Sequence, residues 1–150
     1  MTEERQVLLV RAGGRVCALP VGDVVETSRP AAVSPLAGTP DCVAGTALLR
    51  GAAAPVISLG HLLTGEPPPP PARWVSLRCG GALAALAVEE VLGVAALPAD
   101  ALARPALEQA AGGALEGTGQ VGRELVFSLR AARLVPEEVW RALSGAGRAR

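Results

Sequence analysis

Short Val and Leu runs bounded by glycine recur along this chain, a pattern that fits strands better than helices. VLLVRAGGRVCALPV, from Val7 to Val21, reads as a strand, a Gly13-Gly14 turn and a second strand. Val24 to Ser28 continues as a strand that stops at Arg29-Pro30. TPDCVAG predicts a helical turn from Thr39 to Gly45, with Thr39 as N-cap, Pro40 in the first helical position and Gly45 as terminator. AGTALLRGAAAPVISLGHLLTG then predicts a strand through Leu48-Leu49, a turn at Arg50-Gly51, a strand through Val56-Ile57 and a helical turn from Ser58 to Gly65. Further strands fall near Trp74 to Leu77, Leu83 to Val88, Val91 to Ala96 and Leu125 to Leu129. PEEVWRALSG reads as a short helix, with Pro136 at its start, acids in its first turn and Gly145 beyond its end. Val139 and Leu143 share one face of that helix, and Trp140 lies beside them to anchor it.

The pattern is written twice. Arg11 to Val25 aligns without gaps on Arg78 to Leu92, with 7 of 15 positions identical: an Arg, a Gly-Gly turn, an apolar run and an acid followed by Val. A weaker echo matches Gly45-Thr46 with Gly117-Thr118. Between the copies stands EPPPPPA, whose five prolines lack N–H donors and favour extended backbone, so it reads as a semi-rigid connector. The expected architecture is mainly all-β: two small β-barrel subdomains of about five strands each, with short helical turns and a C-terminal helix. Residues 7–66 form the first subdomain, 67–72 the connector, 73–135 the second subdomain and 136–145 the helix, within one domain over 1–150. Units of roughly 60 residues bury only ~60% of their chain surface, so the two should share a hydrophobic core.

Composition narrows the function. The 14 cationic residues are all Arg and are balanced by 14 acids, and with two Trp, one Phe and no Tyr there is neither excess positive charge nor a stacking platform for nucleic acid. Half of the residues are hydrophobic, yet 29 are Ala, which implies a thin aliphatic core. The longest stretch without an acid or Arg, Gly51 to Gly65, is too short and too interrupted to cross roughly 30 Å of hydrocarbon. MTEERQ has no apolar signal region, so a cytoplasmic address is expected.

Catalytic constellations do not assemble. Cys17, Cys42 and Cys79 form no CxxC or Cys/His cluster and read as small buried apolar residues. His61 stands alone, leaving Ser28, Ser34, Ser58 and Thr64 without a second base. Glu89-Glu90 and Glu137-Glu138 are adjacent pairs, and neighbours on a strand point to opposite faces. No GxGxxG or P-loop occurs. No cofactor, metal or enzymatic activity is expected, and the isolated chain should be a monomer. Arg50 is the exception to this bland inventory: held between Leu49 and Gly51 in a turn, it offers five donors either to an internal salt bridge or to a partner carboxylate.

Taken in order, these segments resemble the CheW-like domain of bacterial chemotaxis coupling proteins, from about Val7 to Val135. VCALPVGDVVET matches the family's strand, turn and V-x-E-V pattern; TPDCVAGTALLRGAAAPVISL matches its stretch from a TP turn through N-L-R-G to P-V-I-D-L; AVEEVLGV and GALEGTGQVGRELVFSLRAARLV match its closing segments. The resemblance implies two five-stranded β-barrels around a shared core and a non-enzymatic adaptor. Such an adaptor joins the cytoplasmic tip of methyl-accepting chemoreceptors to the regulatory domain of a CheA-type histidine kinase, in cytoplasmic or membrane-associated arrays, without inserting in the membrane itself. It also implies receptor contacts at Val24, Glu26, Gly45, Arg50, Val88 and Val91, and kinase contacts near Gly51, Pro55, Ser58, Gly117, Gly122 and Arg130. Four positions depart from the family pattern: Cys17 for an aromatic, Leu48 for Asn, Ser58 for Asp and Arg130 for Asp or Asn. They open a second reading, a protein that binds receptors but not the kinase and so insulates or allocates signalling complexes. A third reading, a small-ligand barrel, finds no cluster of convergent polar groups in the sequence.

Overall fold

The computed structural model describes residues 4–98, 100–102, 104–105 and 114–148, with side chains described outside 104–105 and 145–148. Eleven strands run β1 (Glu4–Ala12), β2 (Arg15–Pro20), β3 (Val24–Ser28), β4 (Val43–Leu49), β5 (Ala52–Ser58), β6 (Arg73–Cys79), β7 (Ala82–Val88), β8 (Glu90–Pro98), β9 (Arg104–Pro105), β10 (Leu115–Val121) and β11 (Glu124–Leu129). Two α-helices accompany them, α1 (Leu59–Thr64) and α2 (Glu137–Arg148). One sheet has six strands in the order β8-β1-β2-β11-β10-β9 and the other five in the order β3-β6-β7-β5-β4.

The repeat seen in the sequence is the repeat of the fold. Gly13-Gly14 and Gly80-Gly81 turn at positive φ between β1 and β2 and between β6 and β7, as two-residue hairpin loops require. The strand that follows each hairpin leaves it. β3 crosses to pair antiparallel with β6, and β8 crosses to pair with β1. β5 then lies parallel to β7, while β11 lies parallel to β2. Each sheet is therefore one copy's hairpin completed by the other copy's remaining strands. The correspondence extends to defects: β3 and β8 both carry a bulge, at Val25 and Leu92, and β4 and β10 both shift register just before Gly45 and Gly117.

This exchange changes two expectations. The stretches 7–66 and 73–135 each supply strands to both sheets, so the proline run separates repeats in sequence without separating sheets in space. The sheets are also not closed barrels: among the described residues, no backbone pairing joins β8 to β9 or β3 to β4. They are curled, and their central strands are buried on both faces. Along β2, Cys17 and Leu19 face the large core between the sheets while Val16 and Ala18 face a smaller cluster with Val7 and Val126. Along β7, Ala84, Leu86 and Val88 face the shared core while Ala85 and Ala87 join Trp74 and Val56 inside the second sheet's curl. Double burial explains why these strands read as continuous apolar runs.

Helical expectations fare unevenly. The Ser58 hydroxyl accepts the His61 N–H at 3.3 Å and Gly65 ends α1 in the left-handed conformation, as the sequence predicts. The helix α2 runs to Arg148, three residues past the expected end, with Val139 buried and Trp140 and Leu143 packed on the shared core. Thr39 to Gly45 is not a helical turn. The Thr39 hydroxyl donates to the Leu36 carbonyl at 2.8 Å, and the chain enters β4 at Val43, drawn into the ladder by its pairing with Ile57.

Candidate functional site

Leu49 pairs with Ala52 across a two-residue turn whose central residues, Arg50 and Gly51, have φ of 51° and 81°. Arg50 is the one non-glycine residue at positive φ among the described residues. A long side chain in that conformation costs roughly 1–2 kcal/mol and projects from a rigid tip. Its Nε lies 4.0 Å from Oε1 of Glu26, with the two side chains 63% and 52% exposed. Glu26 sits on β3, at the opposite edge of the same sheet from β4, so the curl brings both edges to one exposed ion pair. Such a pair contributes only about 0–1 kcal/mol, which leaves both groups available to a partner. The alternative of an internal salt bridge is excluded by this exposure.

The remaining expected receptor positions separate into surface and interior. Val24 and Val91 are half-buried against the shared core, on the two exchanged strands β3 and β8. Val88 is 1% exposed and belongs to the core. Gly45 is a backbone requirement: its φ is 144°, and a Cβ there would stand 2.2 Å from the Ser34 carbonyl oxygen, where residues 34 and 46 form a bridge. Sequence reading passed over Leu48 and Val94 as surface groups, although they are 75% and 62% exposed. The signal is faint because edge strands expose apolar residues that look like core in the sequence.

The expected kinase positions lie on both sheets. Gly51 is at the exposed β4–β5 turn and Gly122 at the exposed β10–β11 turn. Pro55 and Gly117 are buried within β5 and β10. Ser58 caps α1, a task an Asp performs equally well. Arg130 is exposed at the end of β11, with its backbone N–H on the Ala114 carbonyl at 2.8 Å and no ion pair among the described residues.

Burial pushes the Cys17 thiol up to about 12 and the Cys79 thiol to about 11, and raises half-buried Cys42 as well, so none is a ready thiolate. Among the described residues no group of three or more His, Cys, Asp or Glu could hold a metal, and no helix is long and apolar enough to cross a membrane. The acid pairs do not lie side by side on strands: Glu89 is the bend between β7 and β8 and accepts the Gly13 N–H at 3.2 Å, Glu90 opens β8 and pairs with Arg11 at 3.5 Å, and Glu137 and Glu138 lie in the first turn of α2.

A family model described as the CheW-like domain matches residues 6–139. The chain belongs to the CheW-like domain family. The fold agrees: the crystal structure of the scaffolding protein TtCheW from Thermoanaerobacter tengcongensis superposes with a TM-score of 0.74 at 18% identity, covering 87% of this chain and 86% of that one. No curated protein matches in sequence comparison. Within this CheW-like domain, two of the expected receptor positions, Arg50 and Glu26, meet in one exposed ion pair.

Proposed function

We propose that this CheW-like domain is a non-enzymatic scaffold coupling the cytoplasmic tips of chemoreceptors to the regulatory domain of a CheA-type histidine kinase within a chemosensory array. The observation that carries the reading is the exposed Arg50–Glu26 pair on a rigid turn, within a chain that matches the CheW-like family from residue 6 to 139. A preformed pair of opposite charges, with half-buried Val24 two residues from Glu26 on β3, is suited to a helical hairpin carrying complementary charges and an apolar stripe. Gly51, Gly122 and Arg130 are the exposed kinase positions, and the two glycines, on turns of the two sheets, present backbone to a second partner.

One observation favours the insulating variant: Arg130 places a cation, without an ion pair among the described residues, where the family pattern has Asp or Asn. Like-charge juxtaposition across an interface costs several kcal/mol. Pull-down and calorimetric titration against receptor tips and kinase regulatory domains from the same genome separate the readings. Coupling predicts that both bind. Insulation predicts receptor binding alone, with kinase binding recovered by Arg130→Asp and Ser58→Asp together.

A further inference from the structure

The high alanine content has left a hole. A cavity of about 460 Å³ opens where the end of the five-stranded sheet meets β1, floored by Trp74 and Val56 and walled by the proline run 68–71 on one side and Pro30 to Val33 on the other. Ala12, Ala31, Ala44 and Ala87 line it with single methyl groups, and larger residues at those points would fill it. The wall is fixed. Pro68 sits so close to Gly60 that a Cβ there would lie 2.9 Å from it, and the run ends where the Ala72 N–H donates to the Val88 carbonyl at 3.1 Å. Prolines lose little freedom on binding, so the space is pre-organised.

Its volume falls in the range of small-molecule sites, roughly 300–1,000 Å³. Apart from the indole N–H of Trp74, the polar side chains among the described lining residues are Ser58 and Glu89. Ser58 is engaged as the α1 cap. Glu89 is half-buried and uses Oε1 to accept the Gly13 N–H; among the described residues it has no cationic partner, because neighbouring Arg11 is taken by Glu90 and Glu124. A single unneutralised carboxylate at the rim of an apolar chamber selects for charge as well as for shape.

We propose that this cavity binds a small apolar molecule bearing one cationic amine, with the apolar body over Trp74 and the ammonium on Glu89. Neither Arg50 nor Glu26 lines the cavity, although Val88 and Ser58, expected partner contacts, do, and the proposal does not rest on the adaptor reading. The test uses the full chain with Trp140→Phe, so that emission reports Trp74 alone, titrated with phenethylamine, 2-phenylethanol and phenylacetate to millimolar concentration. The expected result is a saturable change with phenethylamine bound about tenfold or more tighter than phenylacetate, the scale of one charge-assisted hydrogen bond. Glu89→Gln, which keeps an oxygen for the Gly13 N–H, should erase that preference while 2-phenylethanol binds as before. Ala44→Phe, at an exposed lining position, should abolish all binding with an unchanged circular dichroism spectrum. Absence of saturable change with the amine, equal affinity for amine and acid, or binding that survives Ala44→Phe in the folded variant would each overturn the proposal.

Discussion

At the scale of single residues, the most constrained position is Gly45. It combines a φ of 144° with an approach to the Ser34 carbonyl that leaves no room for a methyl group. Gly45→Ala should therefore destabilise the chain by at least about 2 kcal/mol, read by urea denaturation, through both strain and clash. A loss below about 0.5 kcal/mol, the scale of an ordinary surface change, would show that the Ser34–Thr46 bridge yields freely. The sequence marks Gly45 as a helix terminator, which its place inside β4 overturns, and the family resemblance marks it as a receptor contact; the bridge that constrains it is a long-range pairing with no local signature. Arg50 was legible because a cation beside Leu49 and Gly51 is out of place in an apolar hairpin. Its choice between interior and surface depended on how far the sheet curls, which no local pattern encodes.

At the scale of elements, both hairpin repeats, the capped α1 and the amphipathic α2 could be read directly, since turns, caps and periodicity are local. Strand β10 escaped because LEGTGQV is broken by two glycines and holds only two large apolar residues. Double burial of β2 and β6 has a measurable consequence. Cys17 and Cys79 are held as neutral thiols with pKa about 12 and about 11, above the ordinary value of 9.0, chiefly by burial. Below pH 9 the thiols are protonated in both folded and unfolded chains and the stability they contribute is intact. As pH rises from 9 toward 12, only the unfolded chain ionises freely, so stability is lost across that window. The chain has no Lys and no Tyr, which removes the side chains that usually titrate there. Stability measured by denaturant should fall from pH 9 upward, with a shallower fall in Cys17→Ala. A fall just as steep in that variant would remove Cys17 as the cause.

At the scale of the whole molecule, reciprocal strand exchange makes the two repeats interdependent. β3 and β8 carry each copy's third strand into the other copy's sheet, so neither 7–66 nor 73–135 contains a complete sheet. The apparent division at the proline run was a misleading local signal for that reason: prolines mark a break in the chain, and pairing decides the layers. The chain should unfold in one transition, with far-ultraviolet circular dichroism coincident with the emission of Trp74, inside one sheet, and Trp140, on α2. Two separated transitions would contradict the exchange. This rigid body is also what holds the two sheet edges, and with them Glu26 and Arg50, in one place.

Recognition of a chemoreceptor tip by Arg50, as proposed, is read from calorimetric titration of the full chain with that tip at moderate salt. Arg50→Ala should weaken binding by ~1.5 to 3 kcal/mol, the range for a hydrogen bond to a charged group, and leave the melting temperature nearly unchanged because the Glu26 pair is exposed. Unaltered affinity with a large drop in melting temperature, or no binding by the unmodified chain, would contradict it.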